Sequence, residues 1–180
     1  MEPSRTASLS VPEGPGGVGQ ARRFAQAQVG AWGLAALAEV TVLLVSEAVT
    51  NALLHTGSSP VLWLGARGGL LRVEVRDASP VLPALRPRNE LAATGRGLRL
   101  IDALAARWGS ESAAGGKVVW FELEHHGGKG AAARGQGTAV GRSTGWRPRE
   151  DHQADWDLAS RRRPRRPGCA TARAGSGPGG

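Results

Sequence analysis

The sequence predicts an α+β domain, a two-layer sandwich in which a mixed, mostly antiparallel sheet is covered by three helices. Three observations carry that prediction. Residues 34–56 form a long apolar stretch broken by few polar residues, which is the pattern of a core helix. Residues 61–66 and 70–77 are short strand-like runs joined by Arg67-Gly68-Gly69, a hairpin signal. Two further strand-like runs flank a second turn at Gly115-Gly116. Hairpin-linked strands with grouped helices fit a layered sandwich better than a doubly wound parallel sheet.

The elements follow in order. Residues 1–18 hold a short apolar run from Ala7 to Val11, followed by Pro and Gly. They read as an edge strand and a loop. Residues 19–32 read as a helix, with Phe24, Ala27 and Ala31 at helical spacing and Arg22, Arg23 and Gln26 facing outward. Gly33 weakens continuation, and Leu34-Ala35-Ala36-Leu37 leads into the long second helix. That helix ends near Gly57, a suitable C-cap after Thr56.

Pro60 begins the strand at 61–66. In the next strand Leu71, Val73 and Val75 alternate with Arg72, Glu74 and Arg76, which predicts one buried face and one wet face. Residues 78–94 contain Pro80, Pro83 and Pro87 and have no clean period. They read as a long loop, and loops of this length inside a compact domain usually act as lids. Gly95-Arg96-Gly97 opens a helix running from Leu98 to about Trp108, striped by Leu98, Ile101, Leu104 and Ala105. Strands near 108–112 and at 118–123 complete a domain spanning 19–124.

Residues 125–180 have a different composition, with 12 Gly, 10 Arg and 4 Pro. Such a segment buries too little apolar area to offset its chain entropy, so it is expected to be a disordered basic tail. Most of the formal charge of +8 resides there: residues 1–124 carry 12 Lys/Arg against 11 Asp/Glu, a net of +1, and residues 125–180 carry 11 against 4, a net of +7. The basicity therefore says nothing about the domain's ligand. Arg161-Arg162-Arg163-Pro164-Arg165-Arg166 offers at most weak contact with nucleic acid, without interleaved aromatics for base stacking. The only cysteine, Cys169, excludes a disulfide within the chain and any cysteine metal cluster. The start of the chain lacks a signal-peptide pattern. The apolar region near 31–49 is interrupted by Gly33, Glu39 and Glu47, which argues against a membrane span. A cytoplasmic protein is expected.

Three sites carry candidate chemistry. On the second helix, Glu47, Asn51 and His55 recur every four residues and share one face. Glu47 has the chemistry of a general base, and Asn51 offers a side-chain oxygen to Mg²⁺, an ion usually shared with nucleotide phosphates. The plain alternative is a pair of hydrogen-bonded core polars. For His55 a structural hydrogen bond at the helix end is the simpler reading. The second site is Asp77, at the junction of strand and lid, where a carboxylate can accept from the exocyclic amine of adenine or simply form an Asx turn. The third is Thr94-Gly95-Arg96-Gly97-Leu98, whose exposed backbone N–H groups and Arg96 suit an anion at a helix start. No P-loop or dinucleotide fingerprint is present.

The order of these sites is more specific than any one of them. A Glu47-x-x-x-Asn51-Ala52 helix, a strand ending in Asp77, a lid, then Gly95-Arg96-Gly97-Leu98 opening a helix resembles the ATPase fold of histidine kinases, Hsp90, gyrase and mismatch-repair ATPases. The short single-domain form is similar to the anti-sigma-factor serine/threonine kinases. The resemblance runs from about Arg22 to Leu123. It includes Ala21-Arg22-Arg23-Phe24 and the closing Gly115-Gly116-Lys117-Val118-Val119-Trp120-Phe121-Glu122-Leu123.

The resemblance implies ATP and Mg²⁺ as cofactors. By it, Glu47 is the base, Asn51 the Mg²⁺ ligand and Asp77 the adenine reader, while Thr94, Gly95, Arg96, Gly97 and Leu98 enclose the nucleotide. The family phosphorylates a serine of an antagonist protein while restraining a sigma factor, which makes those two proteins the expected partners. A homodimer is left open.

Two departures stand out. The glycine box Asp-x-Gly-x-Gly reads Asp77-Ala78-Ser79-Pro80-Val81, which stiffens the lid hinge. The Thr that often follows Gly-Gly-Lys is Val118, which implies loss of a polar contact to adenine, about 1 kcal/mol. The lid change keeps a second reading in view, a module that binds ATP or a partner without phosphorylating anything. Without a dimerisation helix bearing a phosphoacceptor histidine, a sensor kinase is not expected.

Overall fold

Five strands form one antiparallel sheet, and the helices pack together on one of its faces. The computed structural model describes residues 5–56, 58–83 and 96–125. The elements are β1 (Arg5–Ser10), α1 (Gly16–Ala31), a 3₁₀ turn (Ala35–Leu37), α2 (Ala38–Thr56), β2 (Val61–Arg67), β3 (Leu70–Asp77), α3 (Arg96–Leu104), β4 (Arg107–Ala113) and β5 (Gly116–Glu124). Sheet order is β1-β2-β3-β5-β4. Among the described residues all four pairings are antiparallel, with no parallel pair of the kind a mixed sheet would have. The short strand expected near the N-terminus is indeed at the edge.

Local chemistry explains the boundaries. The β2–β3 turn uses Gly68 at φ 57° and Gly69 at φ 77°. Two successive residues in the left-handed region match the twist of the flanking strands, and glycine occupies that region without a Cβ clash. α1 begins earlier than the expected residue 19. Gly17 allows this, because a Cβ there would meet the carbonyl oxygen of Pro12. α3 spans Arg96–Leu104 and stops short of Trp108, which lies in β4. The Trp108 indole N–H instead donates to Asp102 Oδ1 at 2.8 Å, tying α3 to that strand. The expected cap at Gly57, most of the 78–94 loop and the 126–180 tail lie outside the described residues.

The core lies between the helices and one sheet face. Leu62, Leu64, Leu71, Val73, Val75 and Phe121 from the strands meet Ala21, Ala25 and Val29 of α1 and Leu44, Val45 and Val49 of α2. α2 is central, touching α1, α3 and β3. The segment Ala35–Leu54, which takes in the 3₁₀ turn and most of α2, has a mean hydropathy of 1.6, long and apolar enough to cross a membrane by composition. In this fold that hydropathy serves the core, since Leu44, Val45 and Val49 are fully buried.

The opposite sheet face corrects the expectation of a wet surface. Arg72 and Glu74 are 3% and 2% exposed, and only Arg76 is partly accessible. The Arg72 guanidinium donates to Glu74 Oε1 at 2.8 Å and to Glu122 Oε1 at 2.9 Å. It also lies 4.2 Å from the ring centroid of Trp120. Strand alternation fixes which side a residue faces, not whether that side is solvated. Charge pairing and an aromatic face are what make burial of this guanidinium tolerable.

Candidate functional site

The site forms where α2, β3, β5 and α3 meet. A cavity of about 440 Å³ is lined by Ala48, Asn51 and Ala52 of α2, Val75 and Asp77 of β3, Lys117 and Val119 of β5, and Leu98 and Ile101 of α3. Ser79, Val81, Leu82 and Pro83 close one side. The lining is mostly apolar, with a few convergent polar groups, as expected of a small-molecule site. A larger opening near Arg5, Trp32 and His125 lies at the far end of the sheet and touches none of the candidate residues.

Asp77 terminates β3 and is 2% exposed. Its Oδ1 accepts from the Ser79 backbone N–H at 2.8 Å and from Lys117 Nζ at 3.0 Å. The first bond is an Asx turn, the second a buried ion pair. Ser79 repeats the device, its Oγ accepting from the Val81 N–H at 3.2 Å. The segment without glycines is thus held by two successive side-chain turns.

Glu47 and Asn51 lie one turn apart on α2 and are both half-buried. They meet α3 at Gly97. A Cβ at Gly97 would lie 2.9 Å from Glu47 Oε2, 3.0 Å from Asn51 Nδ2 and 3.1 Å from Glu47 Cβ. The glycine therefore permits the helix start to sit against this pair. Asn51 lines the cavity; Glu47 is beside it, at the Gly97 junction. Arg96 is exposed at the first position of α3, and Leu98 is buried in the cavity wall. Thr94, Gly95 and the side chain of His55 lie outside the described residues.

The strand register corrects one expectation and adds a residue. Val118 pairs with Arg76, so it faces the side opposite the cavity, where it is 2% exposed. The residue across from Asp77 is Lys117. Parity along β5 carried this signal: if Phe121 and Leu123 face the core, so do Val119 and Lys117. The lost contact assigned to Val118 is therefore not lost from this cavity, whose polar position is filled by an ammonium.

Among the described residues, no three His, Cys, Asp or Glu side chains gather around a common point. Besides Asp77 and Ser79, whose oxygens already accept hydrogen bonds, the oxygen donors near the cavity are one amide and one carboxylate on α2. That set fits a hard cation completing its shell with water and a ligand's oxygens, as Mg²⁺ does. A family model described as histidine kinase-like ATPase domain matches residues 11–123. No curated protein matches the chain.

Proposed function

The chain belongs to the histidine kinase-like ATPase domain family, and from that premise we propose an ATP-dependent serine/threonine protein kinase of the anti-sigma type. The coarser role, an ATP-binding regulatory domain, follows from the family. The observation that supports the site is convergence. Asn51, Asp77 and Leu98 come from three motifs separated along the chain, and all line one cavity.

In this reading Asp77 accepts from the adenine amine, and the apolar wall of Ala48, Ala52, Val75 and Ile101 takes the ring. The N-terminus of α3 and Arg96 face the phosphates, where backbone N–H groups and a guanidinium offset negative charge. Asn51 would hold Mg²⁺, which when bound would neutralise phosphate charge, and Glu47 stays free to act as the base. During transfer a serine oxygen bonds to the γ-phosphorus as the bond to the β–γ bridging oxygen breaks. ADP leaves, and the serine proton passes to the Glu47 carboxylate. Such chemistry depends mainly on positioning and charge stabilisation. The proposed partners are an antagonist protein bearing the serine and a sigma factor, in the cytoplasm.

The test is transfer of γ-phosphate to a protein that copurifies from the native cytoplasm with Mg-ATP. Glu47→Ala is expected to bind ATP and transfer nothing. Transfer undiminished in Glu47→Ala would remove Glu47 as the base.

A second reading is a module that binds nucleotide without phosphorylating a protein. Two features favour it: Glu47 lies beside the cavity rather than in its lining, and Asp77-Ala78-Ser79-Pro80 replaces a glycine hinge. ATP binding with no transfer to any copurifying protein supports this reading, and Glu47-dependent transfer excludes it.

A further inference from the structure

We propose that Lys117 is a specificity-determining residue that reads the base of the nucleotide, donating to adenine N1 while Asp77 accepts from the neighbouring N6 amine. The inference rests on the ATP-binding reading and names a residue that reading does not need. Lys117 is the second residue of β5, directly across from Asp77, and lines the same cavity.

Its side chain is nearly as buried as that of Asp77, at 7% against 3% exposure. An ammonium carries three donors. Among the described residues its hydrogen bond goes to Asp77 Oδ1, at 3.0 Å. Both described bonds to the Asp77 carboxylate also fall on Oδ1. Donor capacity on Nζ and acceptor capacity on Oδ2 therefore stand side by side at the cavity wall. A largely buried ammonium that reaches the cavity gains from a well-placed acceptor presented there.

Adenine presents that complement on adjacent atoms, a donor at N6 and an acceptor at N1. Because Lys117 is paired with Asp77 before any ligand arrives, the two groups hold each other in place and little side-chain freedom is lost on binding. Gly116 keeps the approach open: a Cβ there would run into the Asp77 backbone carbonyl, so β5 can come this close to β3 only with glycine at that point.

The experiment compares binding of ATP, 1-deaza-ATP and GTP, each with Mg²⁺, to the wild-type full chain by calorimetry. The analogue replaces N1 by C–H and leaves N6 intact. ATP is expected to bind at least about tenfold more tightly than 1-deaza-ATP, the scale of one hydrogen bond to a charged group. In Lys117→Met that preference is expected to disappear.

Equal affinity of the wild-type protein for ATP and 1-deaza-ATP overturns the proposal and leaves Lys117 as a structural partner of Asp77. GTP binding as tight as ATP overturns the adenine assignment, since guanine offers the pair its O6 acceptor and N1–H donor. Absence of binding by all three nucleotides refutes the ATP reading itself. The decisive comparison uses the wild-type chain, so it does not depend on the variant folding.

Discussion

Gly97 is the residue on which the site's geometry turns. It lets the start of α3 approach Glu47 and Asn51 more closely than any other residue would allow. Gly97→Ala forces its methyl against the root of the Glu47 side chain, not only its flexible end. Overpacking of this kind costs about 1–3 kcal/mol. Urea unfolding of the variant is expected to show that loss, and calorimetry to show weaker ATP binding; unchanged stability and affinity would mean the helices yield there. At this scale the motifs were readable because the chemistry restricts residue type: a carboxylate and an amide four apart, an Asp at a strand end, a glycine at a helix start. Lys117 escaped because a lysine after Gly-Gly looks like an ordinary solvated charge. Only its parity with Phe121 and Leu123, combined with the β3–β5 register, turns it toward Asp77.

Element by element, β3 is the strand whose character was hardest to read. Its period of two was clear, and its core face of Leu71, Val73 and Val75 is buried as expected. The polar face was misjudged because alternation carries no information about what covers each side. The overlooked signal is aromatic. Trp63 on β2 and Trp120 on β5 are both paired with Glu74 and share the face of Arg72. Gly109 on β4 makes room for Trp120, whose ring lies 2.8 Å from where a Gly109 Cβ would be. Arg72→Ala is expected to destabilise the domain by about 3–5 kcal/mol, because two buried carboxylates lose the guanidinium between them. A denaturation midpoint close to wild type would contradict that role. Gly109→Ala should also lower the midpoint by displacing the Trp120 ring from the strand it covers.

For the molecule as a whole, the order of elements was legible and the order of strands was not. Turn residues and apolar periods mark each hairpin locally. The placement of β5 between β3 and β4 arises from a crossover through α3, and no local pattern encodes it. Yet that placement assembles the cavity, since it sets Lys117 beside Asp77 and α3 against α2. A ligand bound there contacts four elements at once and should stabilise the entire domain. At a free concentration of one hundred times its Kd, ATP is expected to add about 2.7 kcal/mol. Thermal unfolding with and without Mg-ATP checks this through a rise of several degrees in Tm; no shift at saturation would separate the cavity from nucleotide. The most direct test of the central claim is calorimetric titration of the full chain with Mg-ATP, beside Asp77→Asn. The prediction is saturable binding at one site, weakened about tenfold or more when the Asp77 acceptor is changed. No saturable binding at millimolar nucleotide, or equal binding by Asp77→Asn, would contradict the assignment of the cavity as the ATP site.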